Sequence, residues 1–149
     1  MTFRLDGDIP RISVPSPGAP RIGTELWRHT CFEVFIAIDG QPGYHEFNFA
    51  PSGEWTVYAF SSYRNGGPVA NETMRPHIAV RSTASRLELD AMVRLDCLSG
   101  IASLRIGLCA VIEASDGRSY WALRHRADKP DFHDAGGFAL LLEPPGSQW

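Results

Sequence analysis

Between Cys31 and Phe60 the chain reads CFEVFIAIDGQPGYHEFNFAPSGEWTVYAF, and its apolar positions recur every second residue. Phe32, Val34, Ile36 and Ile38 alternate with Cys31, Glu33, Phe35 and Ala37. His45, Phe47 and Phe49 alternate with Glu46 and Asn48, and Trp55, Val57 and Ala59 with Glu54, Thr56, Tyr58 and Phe60. Strand side chains alternate between two faces, so the pattern predicts three strands joined at Gly40-Gln41-Pro42-Gly43 and Pro51-Ser52-Gly53. Placing Thr56 opposite Asn48 brings Tyr58 opposite Glu46 and Trp55 opposite Phe49. Placing Glu33 opposite Asn48 brings Phe35 opposite Glu46. Both registers keep core with core and polar with polar, as an antiparallel meander requires.

The same period recurs elsewhere. Phe3 and Leu5, then Ile12 and Val14, predict one strand or two short ones within residues 2–14, which the prolines from Pro10 to Pro20 confine to a sheet edge. Further strands are predicted at His77–Ser82, Arg86–Leu95 and Leu104–Ile112. A hairpin turn at Asp116-Gly117 leads into Ser119–His125, and a last strand carries Phe138, Leu140 and Leu142. Ser61 to Pro76 reads as a long loop bent at Asn65-Gly66-Gly67-Pro68, of a length often associated with function. Eight or nine short strands without a long helix or repeat predict an all-β fold, an antiparallel sandwich or barrel, in a single domain over residues 1–149.

Composition narrows the function classes. The 149 residues are 44% hydrophobic and 21% charged, as in an ordinary globular domain, and the formal net charge of −3 argues against nucleic acid. Arginine supplies nearly all the positive charge, Lys129 being the only lysine. Three cysteines, Cys31, Cys97 and Cys109, lack CxxC spacing and read as reduced structural thiols. MTFRLDGDIP has no apolar leader pattern and no run approaches a membrane span, so the expected location is the cytoplasm, without membrane contact. Oligomeric state is not legible.

The polar face of the meander carries the candidate chemistry. Glu33, Glu46, Asn48 and Tyr58 project from adjacent strands, with Phe35 and Phe60 among them. Planar acceptors suit hydroxyl pairs and rings suit C–H faces, a mixture fitting a sugar; a sheet face turned to water would carry similar polar residues. Two carboxylates also admit glycoside hydrolysis, which uses acids about 5–5.5 Å apart when retaining and about 6.5–9.5 Å when inverting. Asp131 and His133 could form half of a metal site if the segment were extended, with His125 a further candidate for metal-dependent hydrolysis. Alternatively Lys129-Pro130-Asp131 is a turn whose aspartate binds nearby amides while the histidine packs over it. Trp27-Arg28-His29, Tyr63-Arg64 and Tyr120-Trp121 flank the sheet and could supply stacking walls or core. No GxSxG, GxGxxG or P-loop occurs.

Leu26–Ile36, Tyr44–Phe60 and Gly107–Leu140 together resemble small bacterial DOMON-like proteins, which are related to family 9 carbohydrate-binding modules. The resemblance implies a jelly-roll β-sandwich with a binding pocket on one sheet, in a superfamily whose members hold sugars or haem. It makes Trp27 and Trp121 candidates for rings clamping a sugar, and Met74 and Met92 candidate haem ligands. The expected function is therefore non-catalytic binding of a small polar ligand, a saccharide or glycoconjugate. Glu33, Glu46, Asn48 and Tyr58 would supply hydrogen bonds, Trp27, Tyr63 and Trp121 walls, and Arg64, His125, Asp131 and His133 the rim. Haem binding, a two-carboxylate or metal-dependent hydrolase, and a protein-interaction face are the alternatives.

Overall fold

The computed structural model describes residues 1–95 and 102–144; Cys97 lies outside them. Among the described residues eleven strands run in chain order: β1 (Thr2–Asp6), β2 (Arg21–Ile22), β3 (Cys31–Ile38), β4 (Tyr44–Phe49), β5 (Glu54–Ser62), β6 (Asn65–Pro68), β7 (His77–Ser82), β8 (Arg86–Met92), β9 (Leu104–Ala114), β10 (Gly117–Ala122) and β11 (Leu140–Leu142). The remaining regular structure consists of three-residue 3-10 turns, among them Leu26–Arg28 and Glu72–Met74. No helix among the described residues is long and apolar enough to cross a membrane.

The strands form two sheets. One has the order β1-β8-β7; the other runs β10-β9-β3-β4-β5-β2, with β11 also on β9 and β6 also on β5. Because β3 occupies one edge of β9, β10 and β11 divide the other, pairing with Cys109–Ala114 and Leu104–Ile106 respectively. In the same way β2 and β6 divide the outer edge of β5. The meander registers match the alternation: Glu33 lies opposite Asn48, Phe35 opposite Glu46, Tyr58 opposite Glu46, Thr56 opposite Asn48 and Trp55 opposite Phe49. All pairings are antiparallel except β2 with β5, which is parallel.

The main core fills the space between the sheets. Phe32, Val34 and Ile36 of β3, Phe47 and Phe49 of β4, and Trp55 and Val57 of β5 pack with Leu87, Leu89 and Ala91 of β8, while Phe3, Leu5, Ile78 and Val80 close its margins. Phe3 stacks on Phe32 across the gap, with ring centroids 4.9 Å apart. Full burial of such side chains is worth about 1.5–3 kcal/mol each, which explains why the apolar period is obeyed so strictly here.

Two expectations need correction. Ser61–Pro76 is not a structureless loop, since β5 runs to Ser62 and β6 turns straight back along it. The strand was invisible because NGGP carries no apolar alternation. Its placement instead depends on a close approach: a Cβ on Gly66 would stand 1.9 Å from the Ala59 carbonyl oxygen. Ile12 and Val14 do not extend a strand either; Ile12 makes a single bridge to Ala114.

Candidate functional site

The face of the large sheet opposite the main core is built from aligned rungs. One runs Cys109–Glu33–Asn48–Thr56 across β9, β3, β4 and β5; the next runs Gly107–Phe35–Glu46–Tyr58 and ends on Pro68 of β6. A third runs Arg105–Ala37–Tyr44–Phe60–Gly66. Glu33 and Glu46 are thus diagonal neighbours on adjacent strands, within mutual electrostatic reach.

This face is not open to water. Glu33, Glu46, Asn48 and Thr56 are all buried, with Glu33 3% and Asn48 0% exposed. The cover is the chain after β10, which folds back across the sheet. Phe138 stacks on Phe35 at 5.5 Å, and His133 packs edge-on against Phe35 and Phe60. Gly107 makes room for this return, because a Cβ there would lie 2.8 Å from the Phe138 ring. At the far end Leu26, carried by the Leu26–Arg28 turn, packs on Cys31 and Ala50.

A cavity of about 550 Å³ remains between sheet and cover. Glu33, Glu46 and Tyr58 line it from the sheet, Arg118 and Tyr120 from β10, and Asp131, Phe132 and His133 from the returning segment. Phe60, the β6 backbone at Gly66-Gly67-Pro68 and the Trp27 ring complete the walls.

A hydrogen-bonded chain fixes the cover. Asp131 is the anchor: it accepts from the Tyr63 hydroxyl, from Arg64 Nη2 at 2.8 Å and from the His133 backbone N–H at 3.1 Å. Burial alone would raise its pKa, but these donors and the Arg64 charge together hold the carboxyl below the usual range. Arg64 occupies the left-handed region, φ 54°, at the β5–β6 turn, and its backbone N–H donates to the Tyr44 hydroxyl at 3.0 Å. Tyr44 Oη lies 2.8 Å from His133 Nδ1. With Arg64 donating to Tyr44, we assign the hydroxyl proton to Nδ1, which leaves the ring's own proton on Nε2. That atom lies 3.5 Å from Glu46 Oε2.

Burial controls the charges. It pushes Glu46 up to about 7, with Asn48 and the Arg64 charge holding it back. Glu33 is likewise raised well above the usual carboxylate range, first by burial and then by repulsion from Glu46. His133 is pushed down to about 4 by burial and by the Arg64 charge, against the pull of Asp131. Glu33 Oε1 and both side-chain polar atoms of Asn48 have no well-formed hydrogen bond. A buried polar atom without a partner costs about 1–3 kcal/mol, so the site holds unsatisfied capacity for donors and acceptors.

Of the residues singled out from sequence, Trp27, Glu33, Glu46, Tyr58, Arg64, Asp131 and His133 line the cavity. Asn48 lies in the sheet floor between Glu33 and Thr56. Tyr63 stands outside, bordering a second recess of about 330 Å³ and bracing Asp131. Trp121 is a correction. It pairs with Ala110, which faces the main core, so its ring projects from the opposite side of the sheet and is 60% exposed. His125 stacks behind Phe132 and contacts the Tyr120 carbonyl, outside the cavity. Met74 packs against the main core and Met92 is exposed at the end of β8, opposite His77; neither lines the cavity. Among the described residues no group of three or more His, Cys, Asp or Glu is arranged to hold a metal ion. Asp131 and His133 instead adopt the turn arrangement, aspartate on backbone amide and ring packed over the sheet.

Phe132 and Arg118 were missed, and Tyr120 was singled out only as a flanking residue beside Trp121. Tyr120 was legible: the two-residue Ser115-Asp116 loop pairs Gly117 with Ala114 and forces Tyr120 opposite Val111, on the cavity face. Phe132 and Pro130 arrive from a segment without periodic pattern.

No protein-family model and no curated protein matches the chain. A solved structure is similar in fold: a Bacteroides uniformis ATCC 8492 protein provisionally described as carbohydrate-binding, with TM-score 0.63 and 13% identity over 91% of this chain and 68% of that one.

Proposed function

We propose that this chain binds a small polar ligand, a saccharide or glycoconjugate, in the cavity between the large sheet and the segment after β10, without catalysing a reaction. The observation that carries the reading is the combination of Glu33, buried with an unpartnered oxygen, and aromatic walls from Tyr58, Phe60, Tyr120 and Phe132 around one cleft. Carboxyls and amides that lack protein partners match hydroxyl groups, and ring faces match the C–H faces of a pyranose. The cavity is within the range of small-ligand sites, about 300–1,000 Å³. The fold of the Bacteroides protein lends support of the same kind. On this reading the chain is a single jelly-roll sandwich of the DOMON-like type.

The test is a titration of purified protein with a panel of mono- and disaccharides, followed by amide chemical shifts. Saturable binding that perturbs Glu33, Glu46 and Tyr58, and that weakens in Glu46→Gln, is the expected result. Saturable binding that leaves these residues unperturbed, or no binding to any sugar at millimolar concentration, would overturn the reading.

A further inference from the structure

The acids on the cavity floor have no cation paired with them. Arg64 is committed to Asp131 at 2.8 Å, and Arg118 reaches towards Glu113 at 3.9 Å. The two floor carboxyls have no comparable partner. Glu46 lies 3.5 Å from the neutral His133 ring and feels the Arg64 charge without forming an ion pair with it, while Glu33 is influenced by burial and by Glu46 and has an oxygen with no hydrogen bond at all. Of the other titratable groups on this face, Arg105 is paired with Asp39 at 2.6 Å, and the Cys31 and Cys109 thiols and the Tyr44 and Tyr58 phenols are kept neutral by burial and bring no positive charge. Two buried acids on adjacent strands thus share a cavity with no counter-ion of their own, and the rings beside them present negative faces that favour a cation.

Building on the saccharide reading, we infer that the ligand itself supplies the missing counter-ion as a primary ammonium, which makes an amino sugar the class the cavity selects. An ammonium has three donors and no acceptor, so it can bond Glu33 Oε1 and Glu46 together and compensate the charge they acquire on ionising, which a neutral hydroxyl cannot do. Binding then takes a proton from the floor: carboxylic acid plus ammonium gives a carboxylate–ammonium pair, and the acid's proton leaves to the buffer. Burial and mutual repulsion, which keep the empty floor largely protonated near neutral pH, make that release measurable.

The experiment is calorimetric titration of the whole chain with glucosamine, N-acetylglucosamine and glucose near pH 7, repeated in buffers of different ionisation enthalpy. Expected are at least about tenfold tighter binding of glucosamine, a difference of about 1.4 kcal/mol, release of about one proton for glucosamine alone, and loss of that preference in Glu33→Gln. Glutamine mimics the protonated acid, so the variant keeps the fold, which circular dichroism checks. Neutral sugars binding as tightly as glucosamine, or glucosamine binding without proton release, would overturn the ammonium inference while leaving saccharide binding intact. No binding by any of the three would overturn both.

Discussion

His133 Nε2 lies 3.5 Å from Glu46 Oε2, an acid and a base brought together from β4 and from the segment after β10, both pushed by burial towards their uncharged forms. The contact joins sheet to cover, and it makes both stability and binding depend on pH.

Stability is expected to fall as pH rises from 5 to 8. Glu46 titrates near 7 in the folded chain against 4.5 ordinarily, so its contribution is complete below about 4.5 and is lost as pH climbs through 7. Glu33, also raised, acts in the same direction. His133, lowered from 6.5 to about 4, acts oppositely: its contribution is complete above 6.5 and is lost as pH falls through 4. The Glu46 and His133 contributions are each worth about 3 kcal/mol at the extremes. Two acids outweigh one histidine. Denaturant unfolding at intervals of half a pH unit checks this, and the double variant Glu33→Gln/Glu46→Gln should reverse the trend between pH 4 and 6.5.

Tyr44→Phe should destabilise the chain by about 1 kcal/mol, since it leaves two part-buried partners, the Arg64 N–H and His133 Nδ1, without their bond. Thermal unfolding measures the loss. An NMR shift of the His133 ring nitrogens would report the altered tautomer balance directly.

Gly66→Ala should cost about 2 kcal/mol or more, because the added methyl would meet the Ala59 carbonyl at 1.9 Å and backbone cannot step aside cheaply. Gly67→Ala is the control: nothing lies within 4 Å of a Cβ there. Comparable unfolding midpoints for the two variants would contradict the close approach of β6 to β5.

Tyr120 and Trp121 stand on opposite faces of β10, so alanine at each separates wall from surface. Tyr120→Ala should weaken sugar binding by about 1 kcal/mol, roughly fivefold. Trp121→Ala should leave affinity unchanged. A larger effect from Trp121→Ala in a glycan titration would contradict the register of β10.

The meander was readable from sequence because every residue in it obeys a period of two. Once Glu33 was set opposite Asn48, the positions of Phe35, Glu46 and Tyr58 followed. What turned that face into a cavity was not readable. The return of Phe138 over Phe35 depends on the missing side chain at Gly107, thirty-one positions earlier in the chain. Likewise the anchoring of the cover on Asp131 needs Tyr63 and Arg64 from the β5–β6 turn. Contacts of this kind join distant residues singly and leave no repeat. Trp121 misled for another reason: a resemblance favoured tryptophan, whereas alternation from the Ser115-Asp116 loop already favoured Tyr120.

The divided margins of the large sheet have a colloidal consequence. A long bare strand edge invites a second molecule to add its own strand, the first step towards amyloid-like stacking. Here one margin is cut into β10 and β11, the other into β2 and β6, so no outer segment exceeds the six residues of β10. β6 also ends in Pro68, which offers no N–H. The large sheet therefore presents short, interrupted borders in place of one long bare edge on which another strand could extend.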